Sequence, residues 1–152
     1  MRNFSKFIAS GFGVGFLPKA PGTWGALLAL LLSLPLLYIE NFQRNFILGI
    51  LILVFTVAGV WSANKVEAAW GHDPKQVVVD EMVGFWITIL FVPPVLKYYI
   101  IGFVFFRFFD ILKPLGIRKA EQLKGGYGVM ADDIVAGIYS NIILQCVIMV
   151  MK

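Results

Sequence analysis

Five carboxylates fall in three short groups: Asp80 with Glu81, Asp110 alone, and Asp132 with Asp133. Each group adjoins the end of a strongly apolar stretch. Carboxylates are costly near hydrocarbon, and those that occur there usually have a partner or a function. An all-oxygen donor set suits a hard cation, and Mg2+ is commonly held by one or two carboxylates with waters and phosphate oxygens. Other chemistries lack their residues. Cys146 is the only cysteine and His72 the only histidine, which leaves no cysteine zinc cluster, no disulfide framework and little for a histidine-based nucleophile. His72 follows Gly71 in a loop and reads as a loop-stabilising hydrogen-bonding residue, and Cys146, inside an apolar run, reads as packing.

Cations accompany the acids. In FRFFDILKP, Arg107 stands three residues before Asp110 and Lys113 three after it, so on a continuous helix all three share a face. A phosphate held opposite a metal ion needs such cations; the simpler reading is an ion-pair ladder that snorkels to the interface. In FLPKAPGTWG, Pro21 and Gly22 end an irregular loop, Thr23 is placed to cap the helix that follows, and Lys19 stands just upstream. A helix start with accessible amides is a natural anion site. In KGGYGVMADDIVAG, a glycine-rich loop leads into Asp132 and Asp133, where a tight turn with an acidic helix cap is the alternative. Gly84 and Gly137 each follow an acid by four residues, a spacing that lets two helices approach closely beneath the carboxylates.

The elements that must carry these groups are membrane helices. The 152 residues are 59% apolar and 14% charged, with mean hydropathy +0.83, whereas a soluble domain is about one quarter charged. One domain over residues 1–152 is expected. Apolar runs cover Gly22 to Ile39, Phe46 to Ala63, Met82 to Val92, Val95 to Phe109 and Ile134 to Met151. Eighteen helical residues reach roughly 27 Å, close to the ~30 Å hydrocarbon core. Pro93-Pro94 divides the middle pair into two helices or kinks one, giving five crossings or four. Charge arbitrates. With five, Arg2, Lys6, Lys19, Lys65, Lys75, Arg107, Lys113, Arg118, Lys119 and Lys124 share one side, against Arg44, Lys97 and Lys152 on the other. The positive-inside bias then puts the acids at the cytoplasmic face. The N-terminal stretch, interrupted by glycines and Lys19, reads as a retained interfacial segment rather than a signal peptide. Dispersed charges without a basic run argue against nucleic acid as a partner.

Taken together, GFGVGFLPKAPGTWG, VVVDEMVG, FRFFDILKPLGI and KGGYGVMADDIVAGIY resemble, in order and spacing, the bacterial phosphatidylglycerophosphatase A family. The resemblance runs over nearly the whole chain. It implies an all-helical fold and Mg2+-dependent hydrolysis of phosphatidylglycerophosphate to phosphatidylglycerol and phosphate at the inner membrane. Matched position by position, the family's acidic motifs fall on Asp80, Glu81, Asp110, Asp132 and Asp133, as catalytic and metal-binding residues. Its basic and loop positions fall on Lys19, Gly22, Thr23 and Lys113, with Arg107 added as a phosphate contact from the charge pattern. The lead-in GHDPKQVVVDE is looser, with His72 before Asp73 and Val79 before the acidic pair, where the family commonly has the reverse order and an aromatic residue. The rival class is a small ion or metabolite transporter; it requires acids at mid-depth and repeated halves, neither of which the sequence displays.

Overall fold

The computed structural model describes residues 2–71, 74–114 and 116–151; His72 and Asp73 lie outside the described residues. All regular structure among the described residues is helical. The chain runs through α1 (Arg2–Ala9), a 3-10 turn at Val14–Phe16, α2 (Pro21–Ser33) with a 3-10 extension to Tyr38, and α3 (Asn41–Trp70). It continues through α4 (Val79–Ile89), α5 (Leu96–Leu112), the single turn α6 (Ile117–Ala120) and α7 (Gly126–Val150).

Among the described residues, three helices are long and apolar enough to cross a membrane: Pro21–Tyr38, Asn41–Trp70 and Gly126–Val150. The outside of the bundle is apolar. Tyr38, Phe42, Leu53, Val57, Val104 and Met149 are all exposed, whereas Ser33, Ser62, Thr88, Ser140 and Arg44 are buried. This inversion is what a hydrocarbon surround selects, because polar groups there must find partners inside the protein. The serine and threonine hydroxyls do so by bonding back along their own helices, as Ser33 does to the Ala29 carbonyl at 2.7 Å and Ser140 to Ala136 at 2.7 Å.

α4 is the central element. Its 11 residues extend only about 16 Å, too short to cross the bilayer core alone. It is nevertheless enclosed, with Met82, Val83, Phe85, Trp86 and Ile89 at 1% exposure or less. The expected small-residue contact is present. A Cβ on Gly84 would lie 2.7 Å from the Asp133 carbonyl oxygen, and one on Gly137 would collide with the Gly84 carbonyl. Only hydrogen at both positions lets α4 and α7 come this close, and that contact sets Asp80 beside Asp133. The Trp86 indole N–H ties α4 to α2 by donating to the Ala29 carbonyl at 3.2 Å.

The Pro93-Pro94 pair separates two helices, as the charge pattern favoured, since α4 stops at Ile89 and α5 starts at Leu96. Proline cannot donate a backbone bond or continue the preceding helix. Side chains from other helices satisfy the groups this break releases. Asn141 of α7 donates to the carbonyls of Ile87, Thr88 and Leu90 at 2.7–3.1 Å. Arg44 donates to the Val92 carbonyl at 2.9 Å, and the Phe91 amide donates to Asn45 Oδ1 at 3.1 Å.

Three local expectations are corrected. Thr23 does not cap α2: the helix begins at Pro21 with Ala20 at the cap position, and the Thr23 amide already donates to the Ala20 carbonyl at 2.9 Å. α5 ends at Leu112, so Lys113 does not continue the helical face of Arg107 and Asp110; it is a left-handed cap with φ 46°. α7 starts at Gly126 rather than near Ile134, which puts Asp132 and Asp133 about two turns into the helix instead of at its cap. Hydropathy missed this stretch because Gly126, Gly128, Asp132 and Asp133 interrupt its apolar residues. They are helical because α3 lies against them: the Gly126 amide donates to Asn64 Oδ1 at 2.8 Å, and the Val60 carbonyl leaves no room for a Cβ there.

Candidate active site

The starts of α2 and α4, the end of α5 and the early turns of α7 meet around one cavity of about 600 Å³. Its lining includes Gly22, Asp80, Glu81, Arg107, Asp110, Lys113, Asp132 and Asp133. Three separated stretches therefore deliver all five sequence-selected acids to one space, and the α2 start closes it with Gly22. Within it the acids divide into two kinds.

Asp80, Glu81 and Asp133 form the inner cluster, each offering a carboxylate oxygen within 4.8 Å of the others. Asp80 and Asp133 are 7% and 2% exposed. The Glu81 amide donates to Asp80 Oδ1 at 3.1 Å. Glu81 Oε2 and Asp133 Oδ1 are buried without a hydrogen-bond partner. Buried acceptors are normally satisfied, and ones that are not call for an explanation. Close carboxylates also repel one another strongly in a medium of low dielectric. A divalent cation resolves both problems, and the donor set, all carboxylate oxygen and no nitrogen or sulfur, is that of a hard ion such as Mg2+.

Asp110 and Asp132 instead engage cations. Asp110 pairs with Arg107 one turn earlier on α5. Lys113 Nζ lies 2.6 Å from Asp132 Oδ2 and 3.3 Å from Glu121 Oε2. Burial alone would push the Lys113 pKa down. The hydrogen bond to Asp132 and the charges of Asp132, Glu121 and Asp133 outweigh burial and hold it above its ordinary value. Lys113 is therefore a dependable cation. Its left-handed backbone is what turns it away from the α5 axis toward α7; such conformations cost a non-glycine residue about 1–2 kcal/mol.

Gly22 contributes through what it lacks. A Cβ there would collide with the Glu81 carboxylate and lie 3.3 Å from Arg107 Nη1. Lys19 and Thr23 do not line the cavity. Lys19 is exposed, and it meets α2 through its backbone, its carbonyl accepting from the Trp24 indole at 3.1 Å. Sequence reasoning passed over Lys75, which does line the cavity. It stands five residues before Asp80 in the α3–α4 loop, and an acid-centred search gives such a lysine no weight.

The profile of the family described as phosphatidylglycerophosphatase A matches residues 7–148. The chain belongs to that family. Its enzyme class, a phosphatase, follows with it. A Haemophilus influenzae protein named phosphatidylglycerophosphatase A is 40% identical over 90% of this chain and 84% of its own length. An Escherichia coli protein of the same name is 36% identical over 95% of this chain and 83% of its own. A Bacteroides thetaiotaomicron protein named "Putative phosphatidylinositol-3-phosphatase" is 52% identical over 90% of this chain and 89% of its own. No solved structure matches the chain.

Proposed function

We propose that the chain hydrolyses the terminal phosphomonoester of phosphatidylglycerophosphate, giving phosphatidylglycerol and inorganic phosphate, with Mg2+ as cofactor. One observation carries the reading: a cavity at the end of an apolar bundle pairs a partner-poor carboxylate cluster with cationic side chains. The family and the names of the Haemophilus and Escherichia relatives supply the substrate.

In this mechanism Asp80, Glu81 and Asp133 would hold the ion, which would supply positive charge to phosphate oxygens and water. Lys113 and Arg107 orient the phosphoryl group from the other side of the cavity, a role suited to fixed cations. Gly22 keeps α2 clear of the space between Glu81 and Arg107. Asp110 and Asp132 hold Arg107 and Lys113 in place through their ion pairs, and serve as further acids of the site. Water attacks phosphorus, the bond from phosphorus to the glycerol oxygen breaks, and the water's proton passes through a site carboxylate to the departing alcohol. Lys19 and Thr23, away from the lining, serve as outer supports of the α2 start. The acyl chains remain beside the helices in the cytoplasmic leaflet of a bacterial inner membrane, with the protein crossing five times as a single domain. α4 is admitted as a segment because protein, not lipid, surrounds it.

Purified protein in neutral detergent micelles provides the test, with phosphate release measured from phosphatidylglycerophosphate, phosphatidylinositol 3-phosphate and phosphatidic acid. The expected result is fastest release from the first, abolished by EDTA and restored by Mg2+. Preference for the inositol lipid, the reading favoured by the Bacteroides relative's name, would overturn the substrate; activity indifferent to EDTA would overturn the cofactor. The transport alternative is not favoured, because the acids gather at one end rather than along a path.

A further inference from the structure

We propose that Lys75 sets substrate specificity: it anchors the phosphodiester joining the lipid's headgroup to its diacylglycerol, while Arg107 and Lys113 face the phosphomonoester that is cleaved. The proposal deepens the lipid-phosphatase reading above and rests on it.

Three cations line the cavity, and they differ in what else they hold. Arg107 is engaged by Asp110, and Lys113 by Asp132 and Glu121. No ion pair joins Lys75 to any described residue. The cations also differ in depth. The side chains of Arg107 and Lys113 are 14% and 20% exposed, whereas Lys75 is exposed at the mouth. Two anchored cations deep beside the carboxylates, and at the rim one that pairs with no described residue, match a ligand with two anionic groups, the reacting one inside and the other nearer the lipid.

The backbone beneath Lys75 is fixed even though its side chain forms no ion pair with a described residue. Pro74 is buried, and its carbonyl accepts from the Val77 amide at 2.9 Å; the Val78 amide donates to the Ala9 carbonyl at 2.9 Å. Gly15 packs on the Gln76 carbonyl with no space for a Cβ. The turn is thus held by the N-terminal segment just after Lys75, at Gln76 and Val78, which keeps Lys75 at the rim. Lysine is well matched to this position, because a compact, mobile point charge needs no bidentate geometry to meet a singly charged diester. Ile111, 64% exposed, lies on the same lining and offers an apolar edge where the diacylglycerol begins.

Two inhibitors divide the ligand into its halves. Phosphatidylglycerol carries the diester without the monoester, and inorganic phosphate resembles the monoester alone. In mixed micelles at fixed surface composition, Lys75→Gln should raise the KM for phosphatidylglycerophosphate and the inhibition constant of phosphatidylglycerol roughly fivefold, the scale of one exposed charge contact. The inhibition constant of inorganic phosphate should not move, which also reports an intact fold. Lys75→Arg should restore most of the loss. Lys65→Gln removes an exposed lysine that does not line the cavity and should leave all three constants unchanged. Equal weakening of both inhibitors, no change in either, or the same change in Lys65→Gln would each overturn the assignment. Absence of phosphate release from phosphatidylglycerophosphate by the unmodified protein would instead sink the substrate reading, and this proposal with it.

Discussion

Arg44, 1% exposed, spends its terminal nitrogens on Asn41 Oδ1 at 2.8 Å and the Val92 carbonyl at 2.9 Å. Asp133, 2% exposed, leaves Oδ1 with no partner beside a cavity. These buried polar residues belong to opposite ends of one bundle. At the Arg44 end, Arg44, Asn45 and Asn141 direct their polar groups at a helix break, Asn41 accepts from Arg44, and among the described residues little is left over besides Arg44 Nε and the Tyr99 hydroxyl. At the acid end, like charges are gathered and acceptors are left open. Buried polarity used up inside the protein maintains a fold; buried polarity left open onto a cavity is kept for a ligand.

That contrast makes substitutions at the two ends fail differently. Asp133→Asn or Asp80→Asn should lower kcat by about a thousandfold or more, the scale of several kcal/mol of lost electrostatic stabilisation. Their thermal midpoints in detergent should hold or rise, because one repelling charge is gone. Unfolding of both variants would erase the contrast. Gly22→Ala should come next, with kcat/KM reduced about 10- to 100-fold as the new methyl displaces Glu81; unchanged kinetics would show that the carboxylate can shift at no cost.

Asn141→Leu exchanges the signs. Three carbonyls lose their donor, and stability should fall by about 1–3 kcal/mol while the rate per folded molecule stays near that of the parent. A large loss of rate at unchanged stability would move Asn141 into the active machinery. The pH dependence is finer. The Lys113 pKa is raised from its ordinary 10.5, so its stabilising contribution is complete below that value and is lost only as pH rises through the higher folded value. Lys113→Gln should therefore cost the same factor throughout the range of about pH 6–9, and a loss that varies across this range would contradict a permanently charged side chain. Thr23→Ala should do least, within about 0.5 kcal/mol of stability and without effect on rate, since Thr23 neither caps α2 nor lines the cavity.

Much of the site was legible in the chain. Carboxylates at the ends of apolar runs cannot be there by default, so their type and position exposed Asp80, Glu81, Asp110, Asp132 and Asp133 together. The helix spacing of Arg107 and Asp110 gave their pairing, because both lie within α5. The Lys113 contacts were not legible, because a left-handed cap is set by how the chain leaves α5, and hydropathy carries no record of it. The start of α7 was missed for a related reason: glycines read as loop until another helix is known to lie against them. Lys19, Thr23 and Lys75 illustrate the same limit, since proximity in sequence to a motif does not say which side of a loop faces the cavity.

By itself the sequence determined the apolar helices, the helical class, the acids that gather at one cavity and the family, because these follow from residue types and their periodic spacing. Only the tertiary structure decided which three acids share one cluster, which two hold cations, and that Lys75 stands at the mouth. Those outcomes depend on how closely α4 and α7 pack at Gly84 and Gly137, on the left-handed turn at Lys113 and on a clamped loop. The first and the last are contacts between parts of the chain remote from each other in sequence, and the second is a backbone conformation set by how the chain leaves α5; local composition encodes none of them.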